Sequence, residues 1–256
     1  MHLRKTEAVV IQCTDFGEAD LIVTLYTSEL GKIRCIAKGA RKSKRRFMNT
    51  LQPFSYIRVV FAEGRGGLVR IDQADIIQPF FRISEDIFKV LCGFYWVELI
   101  NEMTVEREAN VGLFCHLIRS LEMLDEMTPR DEELRFFELR LLDLLGYRPR
   151  LSECTVCSQN IATERTHWFS FRHGGVVCLQ CRHRTPGAIP VSEETVRAME
   201  TVIDMESDAV RGIEFSLTAR SESKKILPRF IQYQLGKGLK SLRVMEEIER
   251  AWEETV

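Results

Sequence analysis

The chain has 256 residues, 45% hydrophobic and 29% charged, with a formal net charge of −1. That is the make-up of a folded globular protein of one large or two to three small domains, and it excludes a disordered or collagenous chain. The longest unbroken apolar stretch, Val90 to Val97, is too short to span a membrane, and Arg4, Lys5 and Glu7 leave no apolar core for a signal peptide, so the chain reads as cytoplasmic.

The small net charge is a sum of unlike parts. Residues 1–80 carry 13 basic and 8 acidic residues, whereas residues 81–150 carry 9 and 14. From Lys32 to Arg70 there are 11 basic residues against the lone Glu63. A solubilising face mixes both signs; this asymmetry instead predicts a basic surface for a polyanion at the N-terminal end.

The first 80 residues have strand texture. Thr6–Thr14, Leu21–Thr27, Lys32–Lys38, Phe54–Ala62 and Leu68–Gln73 are rich in β-branched and aromatic residues, and turn formers such as Gly17, Gly31 and Gly39 separate most of them. Five short strands with a basic insert predict a small barrel of the OB type. Strand side chains alternate faces. Ile33, Cys35, Ile57, Val59, Phe61, Val69 and Ile71 are therefore expected inside, which leaves Lys32, Arg34, Lys38, Tyr56, Arg58 and Arg70 to share a single outer face. Between the third and fourth strands, Lys38, Arg41, Lys42, Lys44, Arg45 and Arg46 put six positive charges and no negative one into ten residues. Phosphate contacts would neutralise such a loop. Phe47 and Tyr56 are candidates for stacking on unpaired bases, with a core-anchor role for Phe47 as the alternative.

From Ser84 the period becomes helical. Ser84 is the expected N-cap of a helix apolar on every face, Asn110 caps a second, and a third opens at Thr128-Pro129 and stops at Gly146. After the cysteine region Ser192 caps another helix, and 221–236 and 241–252 have helical texture. The expected organisation is α+β and multidomain: an OB barrel over 1–80, a helical domain split into 81–150 and 189–256, and a four-cysteine module inserted at 151–188.

That module is the most specific pattern in the chain. Cys154-Thr-Val-Cys157 and Cys178-Leu-Gln-Cys181 lie twenty residues apart, the spacing of a zinc ribbon. The intervening Trp168–Phe171 and Gly174–Val177 predict a hairpin. Four thiolates close a tetrahedral shell, so the expected Zn2+ is structural. A redox dithiol would not need a second pair at this spacing. Cys13, Cys35, Cys92 and Cys115 occur singly among apolar residues and read as small buried hydrophobes. No Walker A loop, Gly-x-Gly-x-x-Gly or His-Glu-x-x-His occurs. Glu18 and Asp20 lack the further acids of a metal-dependent nuclease site and read as turn residues.

Several stretches together resemble one family. Gly17-Glu-Ala-Asp20-Leu-Ile-Val-Thr-Leu, Glu29-Leu-Gly-Lys32, Ala37-Lys-Gly-Ala-Arg-Lys42, Leu51-Gln-Pro-Phe54, Glu138-Leu-Arg-Leu-Leu142, Leu145-Gly-Tyr147 and Leu239-Lys-Ser-Leu242 are similar, in order, to the bacterial DNA repair family RecO. The resemblance implies an OB fold, a helical domain and a zinc module. It also implies non-enzymatic work in recombinational repair: binding single- and double-stranded DNA, annealing complementary strands, and, with RecR, loading RecA onto strands coated by single-strand-binding protein (SSB). RecF is a further implied partner, and the nucleoid the implied location. Some members lack the four cysteines. The family's basic DNA-binding loop matches Lys38, Arg41, Lys42, Lys44, Arg45 and Arg46. Because SSB tails are acidic with an apolar end, their receptor should combine cations with an apolar groove; Arg135 and Leu139, four apart on the third helix, are the candidates, with Arg140 beside them. The competing readings are a zinc-containing nucleic-acid-modifying enzyme with an unrecognised active site, and a zinc-ribbon adaptor that binds no DNA.

Overall fold

A computed structural model of the chain describes residues 3–43, 46–47, 49–63, 69–161, 166–205 and 209–253. By packing the chain divides into two units, Met1–Thr128 with Leu239–Val256, and Pro129–Gly238. This division by packing differs from the breaks near 80, 150 and 188 that the sequence pattern predicts, because helices close in sequence pack with different partners.

In the first unit β1 (Leu3–Phe16), β2 (Asp20–Thr27), β3 (Gly31–Ala37), β4 (Tyr56–Glu63) and β5 (Val69–Gln78) close a barrel in the order β1-β2-β3-β5-β4, with β3 and β5 parallel. This is the OB arrangement. Inward residues follow the two-residue period: Val23 and Leu25, Ile33 and Cys35, Ile57, Val59 and Phe61, Val69 and Ile71 are all buried together. Phe47 closes this core from the loop after β3.

Helix α1 (Ile87–Met103) begins at Asp86, not Ser84: the Asp86 carboxylate accepts from the Phe88 and Lys89 amides, while Ser84 closes a 3-10 turn over Phe81–Glu85. Asn110 caps α2 (Val111–Glu126) as expected. Between them, residues 106–107 pair with Lys32 at the edge of β3. Here Gly31, at φ 64°, lets the barrel backbone meet the Glu108 carbonyl; a Cβ would collide with it. The C-terminal α6 (Lys240–Glu253) packs on α1.

In the second unit α3 (Asp131–Leu144), α4 (Glu193–Ile203) and α5 (Leu217–Leu235) pack on one another. Three short strands, β6 (Thr166–Ser170), β7 (Gly175–Val177) and β8 (Ile189–Ser192), form a sheet ordered β7-β6-β8. The predicted hairpin is β6–β7. The third strand carries Pro190 in a four-residue run and gave no pattern to read.

Among the described residues no helix is long and apolar enough to cross a membrane.

Candidate nucleic-acid interface and metal centre

The segment after β3 leaves the barrel through Gly39, at φ 68°, whose amide donates to the Asp20 carboxylate at 2.7 Å. The Arg41 amide then donates to the Ala19 carbonyl, and the Ala74 amide to the Arg46 carbonyl. The loop is thereby pinned to the β1–β2 turn on one side and to β5 on the other. Asp20 and its turn serve as an anchor, which is why an acid sits beside so basic a segment.

On this frame Lys38, Arg41, Lys42 and Arg46 are exposed. Arg41 faces Asp15 at 3.3 Å, an exposed pair of small energetic weight. Arg46 lies over the Phe47 ring at 5.0 Å and donates to the Lys38 carbonyl, so its guanidinium is held in place without a carboxylate among the described residues. Lys44 and Arg45 lie outside the described residues. Arg34 on β3 and Arg70 on β5 are exposed and point outward from neighbouring strands, Arg70 standing opposite Ile36. The described loop cations, Arg34 and Arg70 are thus all exposed on the barrel unit, as a basic surface requires.

The remaining predicted members make contacts within the first unit. The Lys32 ammonium is turned onto the end of α1, donating to the Asn101 and Thr104 carbonyls at 2.5 and 2.6 Å. It neutralises the negative end of a helix that carries no basic residue in its last turn. Arg58, on β4, pairs with Glu7 of β1 at 3.2 Å. The Tyr56 hydroxyl donates to the same Glu7 carboxylate, and its ring meets Phe114 of α2 edge-on with centroids 6.1 Å apart. Burial, and then the Glu7 contact, push the Tyr56 phenol up to about 12. The Tyr56 hydrogen bond in turn holds the Glu7 carboxyl below its usual range, against its own partial burial and with help from Arg58. The hydroxyl and ring of Tyr56 are therefore already engaged within the first unit. Phe47, 5% exposed, is the core anchor and not a stacking platform. A closed barrel wraps its outer surface around all five strands, so shared outward orientation does not make a shared face.

The nominated receptor on α3 is also corrected. Leu139 is fully buried, and Arg135, 3% exposed, donates to Glu138 at 2.9 Å within the second unit. Arg140 alone reaches the surface, where it pairs with Asp143 at 2.8 Å. The spacing put Arg135 and Leu139 on one side of the helix correctly, but that side faces inward.

The four cysteines converge. Their sulfurs all lie within 4.8 Å of one another, and the Cys157 and Cys178 sulfurs are 3.8 Å apart. A tetrahedron with metal–sulfur bonds of ~2.3 Å has edges of ~3.8 Å, so the spacing suits one ion. Two backbone features build the cluster. The Thr155 amide donates to the Val176 carbonyl, tying the first turn to β7, and Arg150 pairs with Gly174 and Val176, where a Cβ on Gly175 would strike the Arg150 backbone. Burial would raise the Cys154 thiol, but amides of Cys178, Cys157 and Val156 outweigh it and lower the group to about 6. Cys181 is pushed up to about 12 and Cys178 also upward, by burial and then mainly by the sulfurs beside them. Such a cluster favours a cation that replaces protons. His167 is buried nearby and His183 exposed, and neither joins the cluster.

Comparison with known proteins agrees with both halves. A family model described as recombination protein O N terminal matches residues 1–80, and one described as recombination protein O C terminal matches residues 84–243. The DNA repair protein RecO of Syntrophus aciditrophicus is 36% identical over 250 residues, 96% of each chain. That of Myxococcus xanthus is 36% identical over 244 residues, 94% of this chain and 96% of the relative. That of Thermoanaerobacter sp. strain X514 is 34% identical over 238 residues, 92% and 94% of the two chains. An OB barrel with a basic loop, a four-cysteine cluster and similarity running nearly end to end lead to one conclusion: the chain belongs to the RecO family of DNA repair and recombination proteins.

Proposed function

We propose that this protein is a non-enzymatic mediator that binds single- and double-stranded DNA through its barrel loop and anneals complementary strands. The observation that carries this reading is the pinned loop, which presents Lys38, Arg41, Lys42 and Arg46, with Arg34 and Arg70 also exposed on the barrel strands. Two DNA strands repel each other, and fixed cations lower that repulsion while the base edges remain free to pair. Among the described residues the basic segment has a single 3-10 turn, Ala40–Lys42, and no helix long enough to enter a groove, which fits sequence-independent binding. The further role, loading RecA with RecR on SSB-coated strands and contact with RecF, extends the same reading from the family resemblance. No residue is assigned to the SSB tail, since Arg135 and Leu139 are core.

The ion is proposed to be a structural Zn2+ held by Cys154, Cys157, Cys178 and Cys181. Four thiolates would fill its coordination shell and leave no position for water or substrate, which supports a metal that braces the fold and takes no part in a reaction.

Annealing of complementary oligonucleotides without nucleotide or added divalent metal tests the function. The wild type should anneal. Replacing Arg41, Lys42 and Arg46 with Ala should slow it at least about tenfold. The slope of log affinity against log salt for a single strand should become shallower by about 2, at ~0.7 per lost phosphate contact. Unchanged annealing and slope would refute the assignment.

A further inference from the structure

The cysteine module carries a second concentration of cations. From Thr166 to Ser192 the chain holds Arg172, Arg182 and Arg184, His167, His173 and His183, and neither Asp nor Glu, in a protein whose acids outnumber its Lys and Arg by 37 to 36. The sheet has two faces. Phe169 and Phe171 lie on one, against Phe230 and Tyr233 of α5. Strand alternation puts Trp168 on the other, and the Arg182 guanidinium covers its ring at 4.7 Å. Arg182 comes from the 3-10 turn Leu179–Arg184, which contains Cys181 and follows directly on Cys178. Two of the four clustered sulfurs therefore fix the turn that presents it.

Arg172, on the β6–β7 turn, and Arg182, His183 and Arg184 are exposed, and among the described residues none of them has an ion-pair partner. In this they differ from Arg41, Arg58 and Arg140, each of which meets an acid. Exposed cations close in sequence, with no ion-pair partner among the described residues, repel one another unless a polyanion neutralises them. The guanidinium fork suits phosphate oxygens, and a side chain already held on a tryptophan loses less freedom when it makes that contact.

We propose that this face of the cysteine module is a second site for the phosphate backbone of single-stranded nucleic acid, with Arg172, Arg182 and Arg184 as its contacts. It rests on the nucleic-acid-binding reading given above and extends it. One chain would hold two lengths of backbone on separate units, so that one strand can be retained while another is searched for complementarity.

The test uses the full-length, metal-loaded protein, fluorescein-labelled oligothymidylate and anisotropy titrations from 50 to 200 mM salt. One triple variant carries Arg172→Gln, Arg182→Gln and Arg184→Gln; a second carries Arg41→Gln, Lys42→Gln and Arg46→Gln. The module variant should keep its metal, lose affinity about tenfold and show a salt slope shallower by about 2, and combining the two triples should abolish binding. Should the Arg182 substitution loosen the fold, Arg172→Gln with Arg184→Gln alone leaves the Trp168 stack intact and should still flatten the slope by more than about 1. If the module variants bind like wild type while the barrel variant is weakened, this site is refuted and the barrel reading stands. If the module variant is weakened and the barrel variant is not, this site stands and the barrel reading fails. A module variant that keeps oligothymidylate affinity but no longer captures polyglutamate would assign the face to an acidic protein and overturn the proposal.

Discussion

Single side chains here change meaning with their surroundings. Lys32 belongs to the basic stretch by sequence but to the end of α1 by contact. Lys32→Met should therefore cost ~1–2 kcal/mol of stability in urea titration while leaving the salt slope of DNA binding untouched. A phosphate-binding lysine would show the reverse. Leu139 has no exposure, so Leu139→Ala should cost ~2–5 kcal/mol through the cavity it leaves. Any loss of partner binding by that variant would report unfolding and not a lost contact. Glu132 makes the same point for an acid. It is fully buried in α3, yet its carboxyl is held below the usual range because Arg220 and the Phe215 amide, together with its own amide, outweigh the burial that would raise it. A group depressed in the fold contributes stability above its unfolded pKa and loses it as pH falls through the folded value. Glu132→Gln should accordingly narrow the gap between stability at neutral pH and at pH 4, measured by chemical denaturation.

Helices in this chain are closed by charges from elsewhere in the sequence. Glu98 of α1 accepts from the Lys240 and Ser241 amides at the start of α6, at 2.9 and 2.8 Å. Glu222 of α5 accepts from the Ser192 amide and hydroxyl before α4. Lys89, buried in α1, donates to the Asp125 carbonyl near the end of α2 at 2.8 Å. Each places a full charge against the complementary helix end. The α6 case is the most exposed to testing, because most of that helix is at best half-buried. Glu98→Ala should raise amide exchange across 240–253 while the barrel strands keep their protection; equal loosening of both would show that α6 and the barrel unfold together. Caps of this kind explain why Ser84 misled as a helix start. Local preference marks a good cap, but the chain used Asp86, where the helix also gains Thr128 as a partner for the same carboxylate.

At the level of the whole molecule, the barrel with its basic loop lies in the first packing unit and the four-cysteine cluster in the second. Because Cys178 and Cys181 are both pushed above the ordinary thiol range, metal binding must expel their protons. Calorimetry in buffers of different ionisation enthalpy should find about two or more protons released per metal at pH 7, and affinity should fall as the pH is lowered. Chelation should destabilise residues 166–192 first, seen as faster exchange there before the barrel is affected.

Much of this was legible beforehand. Two-residue alternation placed Ile33, Cys35, Ile57, Val59, Phe61, Val69 and Ile71 inside a five-stranded barrel, and Cys-x-x-Cys spacing brought four sulfurs to one point, because both signals act over a few residues of backbone geometry. Which side of α3 faces inward, where Lys32 finds its carbonyls and what covers Tyr56 depend on residues dozens of positions away. The primary structure by itself determined the barrel, the four-cysteine cluster and the excess of positive charge over residues 1–80. Only the tertiary structure decided which of those charges remain free for a polyanion, because a cation's availability is settled by the groups folded against it and not by its neighbours in the chain.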